Sequence, residues 1–530
     1  MEAKRLPGLV AGSALVVILA GGAVLLAEAQ GVAPEPEGTP PPWYLTGNGG
    51  TSPGTNFLGT TDDKALEIHV NSARALRIEP NSFCPNLIAG YHGNSVTAGV
   101  SGATIGGGGS SSYENKVSDD FGTVGGGRAN VAGDLAGTIS DRPFATVGGG
   151  IGNRAHAIYA AVGGGISNFA TSTASAVGGG YGNWASDEYA TIPGGRANAA
   201  SGHDASVGGG RGNTASNSYA TVAGGRGNKA SRHYATVAGG YVNQATGLYA
   251  GVGWGQRNKA TEDCATVGGG ESNLADANHA TIGGGRANTT TGYYATVAGG
   301  RGNTGSRNYA TVSGGRGNTA NGYYATVLGG RENRAAGDYS LATGYRAKVD
   351  ASHDGATLFA DGTNVNFSSS AANEFAARCT GGARFVSAVN GSGTPTAGVT
   401  LAAGGGSWSS ISDRNAKRDF EAVDKRELLA RLAKVPIATW RYRTQDVSIR
   451  HIGPVAQDFH AAFGVGEDDK RITTVDADGV ALGAIQGLHE LLKEKDAQIA
   501  ALRERNAKLE ARFAAMEATV TQLAKGMKEK

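Results

Sequence analysis

Between residues 141 and 346 the small apolar residues follow neither a helical period nor a simple alternation. They recur within one repeated phrase: an aromatic, A-T-V, G-G-G, a polar pair ending in Asn, then x-A. The aromatic slot runs from Phe144 and Tyr159 through Tyr219, Tyr234 and Tyr249 to Tyr324 and Tyr339, in thirteen steps of 15 residues without insertion or deletion. Six positions after that slot stands Gly, from Gly150 to Gly330, and nine positions after it stands Asn, from Asn153 to Asn333. A fixed short period means that each repeat makes one coil and stacks on the next. The A-x-V alternation predicts a short strand with small residues inward, and the glycine density excludes helical repeats. The pattern therefore predicts a mainly β chain built on a β-solenoid, with stacked Asn side chains bridging coils through their amides. At about 4.8 Å per coil, thirteen steps give a shaft roughly 60 Å long.

Outside the repeat, residues 43–86 predict a small β module, with Leu66, Ile68 and Val70 alternating and Ala75, Leu76 and Ile78 following. The solenoid is expected over 87–349, its first coils at 100–108 and 121–137 interrupted by inserted loops, followed by a β connector over 350–408. At residue 409 charge rises and glycine disappears, which marks a small α+β domain over 409–484. From Ile485 through Leu488, Leu492, Lys495, Ile499, Leu502, Asn506, Leu509, Phe513, Met516 and Val520 to Leu523, steps of three and four alternate. That heptad stripe predicts a coiled coil over 485–528, with Asn506 fixing register and Lys495 a weak point.

Composition narrows the class. The chain of 530 residues has 88 Gly but 14 Pro, which is not collagen-like, and a net charge of +2 makes no case for nucleic acid. Cys84, Cys264 and Cys379 are scattered, so neither a disulfide framework nor a metal cluster is expected, and no cofactor. Lys4 and Arg5 precede an uncharged apolar run over 6–26, and Ala27-Glu28-Ala29 precedes Gln30. This is the layout of a signal peptide over 1–29 cut between Ala29 and Gln30, or of an uncleaved membrane anchor. Either way the rest is expected to be exported, secreted or on the cell surface, behind a Pro-rich linker at 30–42. One coil holds only Ala, Val and Ile, a thin core that predicts an oligomer.

The coils resemble the head domains of YadA-like trimeric autotransporter adhesins, which implies a left-handed β-roll packed as a homotrimer. Those adhesins end in a four-stranded membrane anchor, whereas residues 502–530 are a charged coiled coil, so an autotransporter is not expected. Three phrases further on, S-D-x-x-x-K (Ser412, Asp413, Lys417), G-x-x-A-Q-D (Gly453, Ala456, Gln457, Asp458) and V-D-x-D-G-V before a long helix, resemble the self-cleaving intramolecular chaperone domain of phage endosialidase tailspikes. Myelin regulatory factor carries the same domain type. The resemblance implies Ser412 as nucleophile, Lys417 as general base and Ile411-Ser412 as the bond cut, with Asp413 structural or orienting. Serine is a poor nucleophile until a base takes its proton, and lysine is such a base only when burial lowers its pKa. The same residues also fit a local reading in which Ser412 caps a short helix and Lys417 is a solvated charge.

The expected function is an exported homotrimeric fibre, adhesin-like and able to meet a glycan or matrix ligand, whose C-terminal domain assembles it and is then released. Membrane contact is expected only through an uncleaved N-terminal segment. The alternative is a tailspike-like solenoid that binds or degrades polysaccharide. Degradation needs converging carboxylates, and the repeats offer scattered ones such as Asp187, Glu188, Glu262 and Asp263. Calcium-loaded repeats are not expected, because Asn replaces the Asp of the G-G-x-G-x-D loop. The Arg column (Arg196, Arg211, Arg226, Arg286, Arg301, Arg316, Arg331) reads as a solvated ridge.

Overall fold

A computed structural model describes residues 43–528, so the Ala29–Gln30 junction, the apolar run and the Pro-rich linker lie outside the described residues. The chain divides into two units, one ending at Ala376 and the other beginning at Ala377. In the first, Leu66–Val70 and Ala73–Glu79 pair antiparallel, and the second of these pairs with Asn86–Ala89. That third strand opens a parallel ladder through Thr104–Ile105, Thr123–Val124 and Thr146–Val147, which continues coil by coil to Leu341–Gly344 and Thr357–Ala360. A second parallel ladder runs from Ser95–Val96 through Arg154–Ala155 to Ala347–Val349 and Phe367–Ser368. Single bridges between Arg128, Ile151, Ile166 and so on to Tyr345 form a third column. The result is a β-solenoid of about nineteen turns.

Each coil closes over very little. In the coil that starts at Tyr219, the inward side chains are Ala220, Val222, Asn228 and Ala230, all at most 1% exposed. The asparagine does the bonding. Asn228 Nδ2 donates to Gly224 O at 2.8 Å within its own coil and to Gly240 O at 2.9 Å in the next. Its Oδ1 accepts the backbone N–H of Asn243, 2.9 Å away, and the same circuit repeats along the column. The expected amide-to-amide ladder is thus mostly a side-chain-to-backbone circuit: the Gly224 carbonyl and the Asn243 N–H bond to Asn228, while Gly240 O accepts from both Asn228 and the Arg226 N–H at 2.9 Å. Stacking also explains the glycine column. Gly225 has φ +88°, and a Cβ there would sit 2.2 Å from Gly240 O.

The aromatic slot is a corner in the left-handed region, with Tyr219, Tyr234 and Tyr249 at φ 60°, 59° and 56°. Such a conformation costs a bulky residue about 1–3 kcal/mol. The rings recover part of it by stacking outside the coil, with centroids 4.8 and 4.9 Å apart and planes within 9° of parallel. Before the regular array, strand spacing lengthens: Thr123–Val124 pairs with Thr146–Val147, 23 residues on. The excess forms the inserted loops. Coil stacking also runs past residue 349, the expected end of the solenoid, since Leu341–Gly344 pairs with Thr357–Ala360.

The second unit opens with an antiparallel sheet of Ala383–Val389, Pro395–Leu401 and Trp408–Ser410. Then come helix α1 (Lys425–Leu432), a hairpin of Ala438–Trp440 and His451–Gly453, helix α2 (Ala456–Phe463) and helix α3 (Thr474–Lys528). Helix α3 has 55 residues, roughly 80 Å long, and crosses the expected boundary at 484 without a break. Among the described residues of this unit only Val435, Phe459, Val480 and Ala484 are buried hydrophobics.

The Asn circuit predicts an asymmetry within one coil. Asn228→Ala should destabilise the first unit by at least about 2 kcal/mol, because it leaves the Gly224 carbonyl and the Asn243 N–H without their partner. Exposed Lys229→Ala on the same coil should change stability by less than about 0.5 kcal/mol in the same denaturant titration.

Candidate functional site

The site begins where the sheet of the second unit ends. Ser410 is paired with Val399, and the N–H of Ile411 still donates to Gly398 O at 3.1 Å. Ladder bonding therefore holds the chain up to the Ile411–Ser412 peptide. Asp413 then turns it: its Oδ1 accepts the N–H of Asn415 at 2.9 Å and caps the 3₁₀ turn Arg414–Ala416. The N–H of Lys417 closes that turn on Arg414 O at 3.2 Å. Because the turn doubles the chain back, Lys417 Nζ reaches Ser412 Oγ and donates to it at 2.7 Å. Ile411 is half-buried, whereas Ser412 and Lys417 are exposed.

This arrangement bears on the local reading of the same residues. The cap is Asp413, with Ser412 outside the turn, so the serine hydroxyl is left available to the lysine. A hydroxyl and an amine at hydrogen-bond distance can exchange a proton, and the hydroxyl lies one residue from a carbonyl it can attack. Ala29 and Gln30, the other junction expected from sequence, are outside the described residues.

The remaining phrases build the support. Gly453 ends the hairpin opposite Ala438, Ala456 starts α2, Asp458 lies in its first turn and Phe459 is buried. Trp440, Tyr442 and His451 form an aromatic cluster with centroids 4.9 to 5.6 Å apart, and His451 Nε2 meets Gln445 Oε1 at 2.8 Å. Sequence reasoning did not single these out. The T-W-R-Y-R alternation, which puts Trp440 and Tyr442 on one face, was the available signal. Asp424 caps α1 by accepting from Arg426 and Glu427 N–H, both at 3.0 Å. Helix α1 packs on α3 at two glycines one turn apart. A Cβ on Gly483 would meet Leu428 at 2.5 Å, and one on Gly487 would meet the Lys425 carbonyl at 2.3 Å.

Beyond this contact the heptad stripe of α3 is bare. Ile485, Leu488, Leu492, Ile499, Leu502, Leu509, Phe513, Met516, Val520 and Leu523 are each 40–63% exposed. No helix of the described residues is long and apolar enough to cross a membrane. In the repeats, two of the carboxylates weighed for glycan chemistry bond backbone: Asp187 accepts the N–H of Glu188, and Asp263 accepts that of Leu248 in the preceding coil. The Arg column is exposed, with Arg196 and Arg226 resting over Tyr181 and Tyr241, and Arg286 3.4 Å from Glu271.

Residues 412–465 match the family described as Chaperone of endosialidase, peptidase family S74. The matched segment opens on Ser412 and closes just beyond the left-handed cap of α2 at Gly464. This part of the chain is thus an S74 chaperone-of-endosialidase domain, a class that implies autoproteolytic intramolecular chaperone activity, and it follows a β-solenoid. No curated protein matches the chain.

The glycine contact makes a local prediction. Gly487→Ala should overpack α1 against α3 and cost about 1–3 kcal/mol. Thermal loss of the helical circular-dichroism signal should come at lower temperature, while Gly526→Ala, with open space around its Cβ, should leave it unchanged or raise it.

Proposed function

We propose that the chain is an exported homotrimeric fibre protein whose C-terminal domain holds three copies in register during folding and is then cut away before Ser412. The observation that carries the chemistry is the 2.7 Å contact between Lys417 Nζ and Ser412 Oγ at the end of a hydrogen-bonded strand. In this reading Lys417 takes the hydroxyl proton and Ser412 Oγ attacks the carbonyl carbon of Ile411. The C–N bond breaks, the Ser412 nitrogen takes the proton as an amine, and an ester joins Ile411 to Ser412 Oγ. One water then hydrolyses the ester, giving an Ile411 carboxylate and a new chain start at Ser412. The step is intramolecular, so proximity supplies much of the rate.

A lysine acts as base only away from water, and Lys417 is exposed in the single chain. We infer that neighbouring copies supply the cover, so that cleavage follows assembly. The bare heptad stripe of α3 supports this, because a 55-residue helix with one unpartnered apolar seam fits a coiled coil of like chains. The released shaft would serve surface display or adhesion toward a glycan or matrix ligand. This is favoured over polysaccharide degradation, since Asp187 and Asp263 are engaged with backbone N–H groups.

Expression of residues 30–530 tests the chemistry. Two fragments should part between Ile411 and Ser412, and Ser412→Ala and Lys417→Ala should each stay intact on a denaturing gel. Cleavage elsewhere, or unchanged cleavage in both variants, would overturn the assignment. A second test addresses assembly: Leu502→Asp with Leu509→Asp should give a monomer by light scattering and abolish cleavage with Ser412 and Lys417 still in place. A monomer that still cuts would refute the coupling, and a trimer would refute the α3 seam as the contact that assembles the copies.

A further inference from the structure

The inserted loop that breaks the coil spacing brings together three carboxylates. Asp119 comes from the turn before Thr123–Val124, and Asp134 and Asp141 come from the loop itself, where 23 residues separate paired strands. Oxygens of the three side chains lie within 4.8 Å of one another. Asp119 is 0% exposed. Its Oδ2 accepts from Ser118 Oγ at 2.8 Å and from the N–H of Asp134 at 3.1 Å. Its Oδ1 is sealed from solvent with no donor, and so is Asp141 Oδ1. Gly133 borders the group, at φ +100°, where a Cβ would fall 2.1 Å from Asp119 Oδ2.

Charge sharpens the point. The cation facing the cluster is Arg142, with Nε 3.4 Å from Asp134 and 4.0 Å from Asp141. Three carboxylates against one guanidinium leave a formal excess of two negative charges around a sealed oxygen. A buried, unpaired carboxylate oxygen is costly, and like charges crowded together add to that cost. Burial, with smaller contributions from Asp134 and Asp141, holds the Asp119 carboxyl above the usual carboxylate range, against the pull of Ser118 and the Asp134 N–H.

We propose that Asp119, Asp134 and Asp141 bind one hard divalent cation of the calcium class, which staples the inserted loop to the preceding coil. The donor set is all oxygen, without His or Cys, which suits calcium over zinc. A doubly charged ion matches the excess charge and gives both orphan oxygens a partner. The site is separate from the repeats themselves, whose Asn column bonds backbone groups.

Equilibrium dialysis of the chelator-treated full-length protein against calcium chloride tests this, with thermal unfolding in parallel. The wild type should take up one ion per chain, and its first unfolding transition should rise by a few degrees with calcium. Asp141→Asn should weaken uptake at least about tenfold, since affinity follows ligand charge. Asp119→Asn should melt in chelator at or above the wild-type temperature, because a buried charge is gone, and should ignore calcium. Absence of uptake by the wild type, uptake unchanged in Asp141→Asn, or a preference for zinc over calcium would overturn the proposal. Should Asp119→Asn fail to fold, Asp141→Asn decides alone.

Discussion

The solenoid depends on a buried hydrogen-bond circuit more than on a hydrophobic core. A coil with four inward side chains, two of them alanine, buries little apolar area, so burial alone cannot hold it. What remains is the asparagine at the centre of each coil, which ties a carbonyl of its own turn, a carbonyl of the next coil and the next N–H. In a sealed interior such bonds are strong when complete and costly when broken. The glycine column and the left-handed aromatic corner follow from this: both let the backbone turn tightly enough to bring its carbonyls onto the amide.

The second unit has the opposite character. Among its described residues it buries four hydrophobic side chains and leaves a long apolar seam on α3 in solvent. A solenoid of near-identical coils can slip register by a whole coil at little cost in local contacts. A device that aligns chain ends before the coils close would remove that ambiguity. On the proposed function, the two units make sense together as a stack whose coils do not specify their own register and a domain that would supply it by pairing with copies of itself.

Much of this was legible in the residues. An invariant 15-residue spacing admits no architecture but a stacked coil, and alternation within A-T-V fixed which positions point inward. The serine–lysine pair was legible only through the phrases around it, because S-x-x-x-x-K alone equally describes a turn and a solvated charge. Three features were hidden. The amide partners of the asparagines depend on where turn carbonyls fall, which no periodicity reports. The left-handed tyrosine corner contradicts the preference of a bulky residue and is held by the coil around it. The meeting of Asp119, Asp134 and Asp141 arises inside an irregular insertion, where spacing carries no information.

The ladders also have a mechanical meaning. Bonds between one coil and the next share a load along the stack in parallel, as between Thr221 and Ala235, Ala223 and Val237, Lys229 and Asn243. Successive junctions carry that load in series. A stack of this kind parts at its weakest junction, whatever the strength of the others. Near-identity of the coils then works as load equalisation, and a junction lengthened by an insertion is where a fibre under tension would need a clamp.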